Sequence, residues 1–427
     1  MTDVRPFRAL RYDPKRVDLG RAVVPPYDVI ADHERAAYWD RDPHNAIRLE
    51  LTRDAADEAA TDYAGVRETL AAWQREGALV RDPRPMFYAL RQTFAAPDGS
   101  THVRDGFFAA LQLEDYDRRV VRPHERTLTG PKADRLKLFR ASAANISSVF
   151  LLYEDAALEL NALLARHLDA GPAAVALDAA GTEHRLVPID APDAIAAIRR
   201  FLADRPVVIA DGHHRYETAL AYRDERRAAA NGADPEAPYE RTLAYFANAY
   251  APGTLLLPIH RVVREVPPPD GEDFARRLPG WTLELVALPN VDALAAALET
   301  HLAPLADRHA FAADDGSGVL RIFSRPRRAG DDLSIRVIHQ EVLHGVFGLD
   351  DAAVRDGAVG FPKHAPEAAR EVRSGRGTVA LYLNPLAAED VFRVTAAGEI
   401  LPQKSTFFFP KLPSGLLFRL LDGSDAA

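Results

Sequence analysis

The sequence predicts a mixed α+β protein in two regions, and three observations predict it. Short apolar runs alternate with stretches of helical spacing along the chain. Residues 206–229 read as strand, glycine turn and helix in immediate succession. The run Val266-Pro267-Pro268-Pro269-Asp270 reads as a linker. At roughly 100–200 residues per domain, 427 residues accommodate two or three domains. The reading places an N-terminal α+β region over 1–265 and a smaller C-terminal α/β region over 271–427.

Taken in order, AIRLEL (46–51) reads as a strand, and the amphipathic stretch over roughly 56–76 reads as a helix that stops at Gly77. Two half-alternating runs, 86–94 and 101–113, flank Pro97-Asp98-Gly99-Ser100 and predict a hairpin. RVVRPHERT (119–127) looks strand-like, a helix follows from about Pro131 to Ala144, and ISSVFLLYE (146–154) is a buried strand. Residues 172–190 predict a second hairpin and 191–203 a helix. After PVVIA, DGHH and the helix to 230 come strand-like runs at 239–250 and 254–263. The chain shows no internal repeat.

Composition narrows the chemistry. Hydrophobic residues at 47% and charged residues at 27% suit a packed globular core. With no cysteine, a disulfide framework, a thiolate metal site and a cysteine nucleophile are excluded, so any metal needs His, Asp or Glu. Fifty-three basic against 62 acidic residues give -9, with no long basic run, which disfavours nucleic-acid binding. The charged, proline-broken opening is unlike a signal peptide and no apolar run reaches a spanning length, so a cytoplasmic location without membrane contact is expected. Only six basic residues are lysines, at 15, 132, 137, 363, 404 and 411. In so Arg-rich a chain, a lysine can mark a place where a compact ammonium is needed.

The sharpest candidate is Asp211-Gly212-His213-His214-Arg215. A glycine turn between strand and helix lets a ligand approach the backbone, and the first helical amides lack intrahelical acceptors, which suits phosphate. Arg215 could add charge-assisted bonds, and His213 and His214 could donate to phosphate or move protons. A capped helix start with solvated histidines is the plain alternative. A second group is Arg122 to Thr127 with Gly130-Pro131-Lys132 and Asp134-Arg135. There His124 or Glu125 could act as general base, Glu125 could ligate Mg²⁺, and Lys132 could meet phosphate; equally, it is a charged loop before a helix that Pro131 starts. A third is Gln403-Lys404-Ser405-Thr406-Phe407-Phe408-Phe409-Pro410-Lys411, which lacks the glycines of a P-loop. Val24-Pro25-Pro26-Tyr27-Asp28 is a rigid segment that delivers Tyr27 and Asp28, Asn145 reads as a helix cap, and His339 and His344 read as structural.

PFRALRYDP, VVPPYDVI, RPHERTLTGPKADRLKLFRASAANIS, ADGHHRYETAL, LLLPIHRVV and QKSTFFFPKLPSGLLF occur in that order between residues 6 and 418. Together they resemble the prokaryotic family of domain of unknown function 1015, whose members are often labelled SpoOJ/ParB-like. The DGHHR box is similar to the GxHR-type box of the ParB/sulfiredoxin superfamily, which includes CTP-binding partition proteins, sulfiredoxin and an ADP-dependent free-serine kinase. That resemblance implies a strand-GHHR-helix core and phosphate contacts from Gly212, His213, His214 and Arg215. The chain lacks sulfiredoxin's cysteine and any recognisable helix-turn-helix, which argues against those two roles. The association of the family with serine-biosynthesis gene neighbourhoods points toward serine.

The expectation is therefore a nucleotide-dependent phosphotransferase acting on a small hydroxylated metabolite such as serine, in the kinase or the phosphatase-like direction. ADP, ATP or CTP and Mg²⁺ are the expected cofactors. His124, Glu125 and His214 are the expected catalytic groups. Asp211, Gly212, His213, His214, Arg215, Lys132 and Lys404 are expected on the nucleotide, and Glu125 and Asp211 on the metal. A homo-oligomer is left open. The competing reading is a non-catalytic, nucleotide-gated binding protein of ParB-like type.

Overall fold

In the computed structural model, residues 1–53, 61–125, 129–171, 173–230, 232–264, 266–328, 331–402 and 404–423 are described. Arg126 and Thr127 of the HERT motif, and Gln403, lie outside them. The chain forms two compact units, one of Met1–Leu255, Thr395–Glu399 and Pro410–Ala427, the other of Leu256–Val394 and Ile400–Phe409. Strands and helices mix in both, as an α+β chain requires.

The first unit is built on a nine-stranded sheet. Its strands are β1 (Val4–Arg5), β2 (Phe87–Ala95), β3 (Thr101–Gln112), β4 (Val121–Arg122), β5 (Val149–Tyr153), β6 (Ala174–Leu177), β7 (Glu183–Ile189), β8 (Val207–Asp211) and β9 (Arg241–Asn248). Their order is β4-β8-β5-β9-β3-β2-β7-β6, with β1 added beside β3. Both expected hairpins are present: β2 pairs antiparallel with β3, and β6 with β7. Helices α1 (Thr129–Ser142), α2 (Glu159–Ala170), α3 (Pro192–Ala203) and α4 (His213–Ala229) connect the strands. Leu160, Leu164 and Leu168 recur at four-residue spacing along one face of α2 and join Ile198, Leu202 and the sheet residues Phe107, Leu151 and Phe246 in one core. Pro192 at the first turn of α3 costs no hydrogen bond there.

Three local expectations are corrected. Ile47–Glu50 form a short helical turn rather than a strand, closed by the Leu51 amide on the Ile47 carbonyl and entered where the Asn45 side chain accepts from the Ile47 amide. The expected helix over 56–76 is described over Val66–Arg75, with Gly77 at φ 73° where a stop was expected. Asn145 caps nothing: it pairs with Arg419 in a short antiparallel bridge, and its Oδ1 accepts from the Leu243 amide.

The second unit has a six-stranded sheet of β10 (Arg261–Val263), β11 (Thr282–Ala287), β12 (His309–Asp314), β13 (Val319–Arg325), β14 (Val359–Gly360) and β15 (Val379–Leu383), ordered β11-β13-β12-β15-β10-β14. Helices α5 (Ser334–Ile338) and α6 (Ala365–Arg373) belong to it. Ala368, Ala369 and Val372 of α6 close its core over Ala310, Ala312, Ile322 and Tyr382. Among the described residues of both units, no helix is long and apolar enough to cross a membrane.

Candidate functional site

The site is assembled at the carboxyl end of β8. That strand runs parallel to β4, with Val207 opposite Val121 and Val208 opposite Arg122. A parallel neighbour carries the next residues along in step, so His124 arrives beside Ile209 and donates from Nδ1 to its carbonyl. On the other side β8 is antiparallel to β5, and the register shifts between Ile209 and Asp211. Such an irregularity re-aims the side chains that follow it. Gly212 then turns the chain at φ 88°, ψ 31°, a left-handed conformation that glycine adopts without strain, and α4 begins with no side chain capping it.

Two imidazoles meet here. The rings of His124 and His213 lie edge to face with centroids 4.6 Å apart, and the His124 amide donates to His213 Nε2 at 3.3 Å. These bonds fix both tautomers. His124 carries its proton on Nδ1 and a lone pair on Nε2, whereas His213 accepts at Nε2 and carries its proton on Nδ1. Burial pushes both below the ordinary histidine range, His213 the further, so both are neutral at pH 7. The Glu125 carboxylate stands 3.9 Å from His124 Nε2.

Beneath the turn lies a charge cluster. Asp211 takes Arg215 on one carboxylate oxygen and Lys411 on the other, and Arg215 also donates to the Ser148 carbonyl. Burial pushes the Asp211 carboxyl up, but Lys411 and Arg215 together hold it well below the ordinary carboxylate range. One carboxylate between two cations leaves a local charge of about +1, and the helix amino end adds a partial positive charge of about half a unit. The residues around this cluster are supported by a second ion pair. Glu50, fully buried, meets Arg135 at 3.0 Å and accepts from Ser414 at 2.6 Å, while Arg135 lies over the Tyr27 ring at 4.1 Å. The segments 25–28, 50, 122–125, 132–135, 211–215 and 411–414 thus belong to one connected network in the first unit.

Several expected residues therefore come together: His124, Glu125, Asp211, Gly212, His213 and Arg215. His214 follows them on the first turn of α4, half-buried. Lys132 lies one step away, on α1, where it pairs with Glu217 of α4 at 2.7 Å. Lys404 belongs to the second unit, where it stands exposed at φ 59°. Arg215 pairs with Asp211 and donates to the Ser148 carbonyl, and these contacts hold the turn. Lys411 is the lysine that reaches the cluster. Glu50 is hidden in AIRLEL, whose apolar run fits a strand, although a glutamate inside so apolar a run is itself the signal of a buried partner.

Mg²⁺ does not fit these side chains as arranged. Both Asp211 oxygens already face cations, and among the described residues no three His, Cys, Asp or Glu side chains gather to hold a metal. What the arrangement can do without one is offer amides and an N–H to an anion, and an imidazole lone pair to a hydroxyl.

No curated protein matches this chain. Solved structures with partial likeness include a conserved hypothetical protein from Pyrococcus furiosus, 14% identical over 74% of this chain and 96% of that one, TM-score 0.34. A free serine kinase in complex with AMP is 13% identical over 71% and 86%, TM-score 0.33. SbnI with a C-terminal truncation, from Staphylococcus aureus, is 11% identical over 74% and 89%, TM-score 0.36. Glu50, His124 and the β8–α4 turn lie within residues 4–320, the stretch matched by a single family model, with 411–414 beyond it, and the chain belongs to that family, described as Protein of unknown function (DUF1015).

Proposed function

We propose that the first unit is a phosphotransferase centre that moves a phosphoryl group between a nucleotide and a small hydroxylated metabolite, with serine as the candidate acceptor. The observation that carries this reading is the opposite polarity of the two imidazoles at the amino end of α4. His213 offers an N–H, together with the first amides of α4, to phosphate oxygens; His124 offers a lone pair to a hydroxyl. The net positive cluster of Asp211, Arg215 and Lys411 favours an anion at the turn.

In the forward direction the metabolite oxygen forms a bond to the terminal phosphorus as the bond from phosphorus to the nucleotide's bridging oxygen breaks. The electron pair leaves with the nucleotide, and the hydroxyl proton passes to His124 Nε2. A weakly basic imidazole suffices, because in a loose transition state the hydroxyl is oriented first and loses its proton late. His124 is held for this by its bond to the Ile209 carbonyl. Glu125, beside Nε2, stabilises the imidazolium that forms.

The test is exchange of labelled phosphate among ADP, ATP or CTP and serine, run beside a thermal-shift titration of the same nucleotides, since a ligand of the native state raises its apparent stability. His124→Gln is expected to keep the nucleotide-induced shift and to lose transfer by about a hundredfold or more, the usual scale of a general base. A shift without transfer in the unaltered protein would make this a nucleotide-gated binding protein instead.

A further inference from the structure

The second unit contains a cavity of about 280 Å³, far in sequence from the β8–α4 turn. Its walls are largely apolar, with Ile259, Ile335, Ile338 and Leu383 among them, and Arg308 and Arg327 add positive charge. The arginines of this neighbourhood are nearly all occupied. Arg325 pairs with Asp331 and Glu341, Arg336 with Asp332, and Arg327 donates to the Ala306 carbonyl. Asp390, the one carboxylate of the lining, is taken by Arg393 at 2.8 Å. Arg308 differs. Its Nε is covered and has no hydrogen-bond partner among the described residues, and its guanidinium enters no ion pair there.

A covered Nε–H without an acceptor beside a largely apolar cavity is a costly arrangement, and an anion bound in the cavity would relieve it. The Arg308 backbone is also pinned. Its amide donates to the Leu305 carbonyl at 3.0 Å, and the next residue, His309, is fixed on both ring nitrogens by Asp331 and Ser334, each at 3.0 Å. A guanidinium that starts from a pinned backbone suits the planar fork of a carboxylate. The apolar walls suit a short hydrocarbon body, and the volume limits it to a small molecule.

We propose that this cavity is a binding site for a small aliphatic carboxylate, anchored by Arg308 and seated against Ile259, Ile335, Ile338 and Leu383. It is independent of the phosphotransfer reading.

The experiment titrates the full chain with 4-methylpentanoate, its neutral amide, and methyl phosphate, by calorimetry and by chemical-shift changes. The acid is expected to bind, the amide to bind about tenfold or more weakly, and methyl phosphate to bind less well than the acid, because the apolar body is lost. Arg308→Gln should lower affinity for the acid by about tenfold or more, and Leu386→Trp, which narrows the cavity from another wall, should lower it without touching the charge. Circular dichroism checks that each variant is folded, and either variant alone is sufficient. The proposal is overturned if the acid does not bind, if acid and amide bind equally, if methyl phosphate binds better than the acid, or if folded variants bind the acid as the unaltered protein does.

Discussion

Replacing Asp211 by Asn tests whether this residue is a charge clamp or a metal ligand. In the structure its carboxylate takes Arg215 on one side and Lys411 on the other, with Arg215 only 7% exposed and Lys411 19% exposed. The amide is the same shape but carries no charge, so Arg215 keeps the Ser148 carbonyl and at most a neutral acceptor at position 211, and loses the carboxylate it is paired with. Breaking a buried pair from one side costs about 3–5 kcal/mol; Lys411 reaches solvent more easily, so we expect the lower end, about 3 kcal/mol. At roughly 2–4 °C per kcal/mol this lowers Tm by about 6–12 °C. Denaturant unfolding of Asp211→Asn, Arg215→Met and the double variant gives the coupling directly, and the double should be less destabilised than the sum by at least about 1 kcal/mol. A loss below about 0.5 kcal/mol in the single variant, or no coupling in the cycle, would refute the clamp. A metal ligand would instead give near-normal stability with metal-dependent loss of function.

Three further outcomes follow from the same geometry. His124 and His213 are held neutral, below their unfolded values, so the unfolded chain binds more protons; stability is full above about pH 6.5 and falls as pH drops below it, by at most about 1.4 kcal/mol per histidine per pH unit, and His124→Gln should flatten the profile measured by urea unfolding between pH 7.5 and 5.5. Gly212→Ala places a Cβ 2.9 Å from Arg215 Nε at a φ of 88°, and should cost about 1–3 kcal/mol by thermal unfolding while weakening nucleotide binding; unchanged binding would remove the turn from the site. Glu50→Gln takes the fully buried carboxylate from Arg135, 3% exposed, which keeps Asp134 at 2.6 Å, and should cost about 1.5–3 kcal/mol, with a loss under about 1 kcal/mol showing that the pair does not organise the network.

The strand, turn and helix that carry the site are legible in the sequence; the contacts that complete it are not. The strand, glycine turn and helix of 206–229 announce themselves because an apolar β-rich run, a glycine and a polar helix follow one another without a gap. His124 was legible as a residue type, and its place was not. Only the parallel pairing of β4 with β8 brings it beside Ile209, and pairing between segments about 85 residues apart leaves no local trace. Lys411 and Asp211, 200 residues apart, are hidden for the same reason. Periodicity misreads 46–51, since a six-residue apolar run fits a strand or a buried helical turn equally, and here Glu50 is buried against Arg135 of a distant segment. Arg215 read as a phosphate ligand because charge and position fit; that its fork is spent on Asp211 and Ser148 is a matter of tertiary contacts alone.

The central claim is that nucleotide phosphates lie at the amino end of α4 against His213, with His124 Nε2 facing the reacting hydroxyl. A crystal structure of the protein grown with ADP and serine measures this directly. The account predicts phosphate oxygens within hydrogen-bond distance of the His213 to Arg215 amides and of His213 Nδ1, and a serine hydroxyl within hydrogen-bond distance of His124 Nε2. Nucleotide bound anywhere else on the chain, with these amides bare, would contradict it.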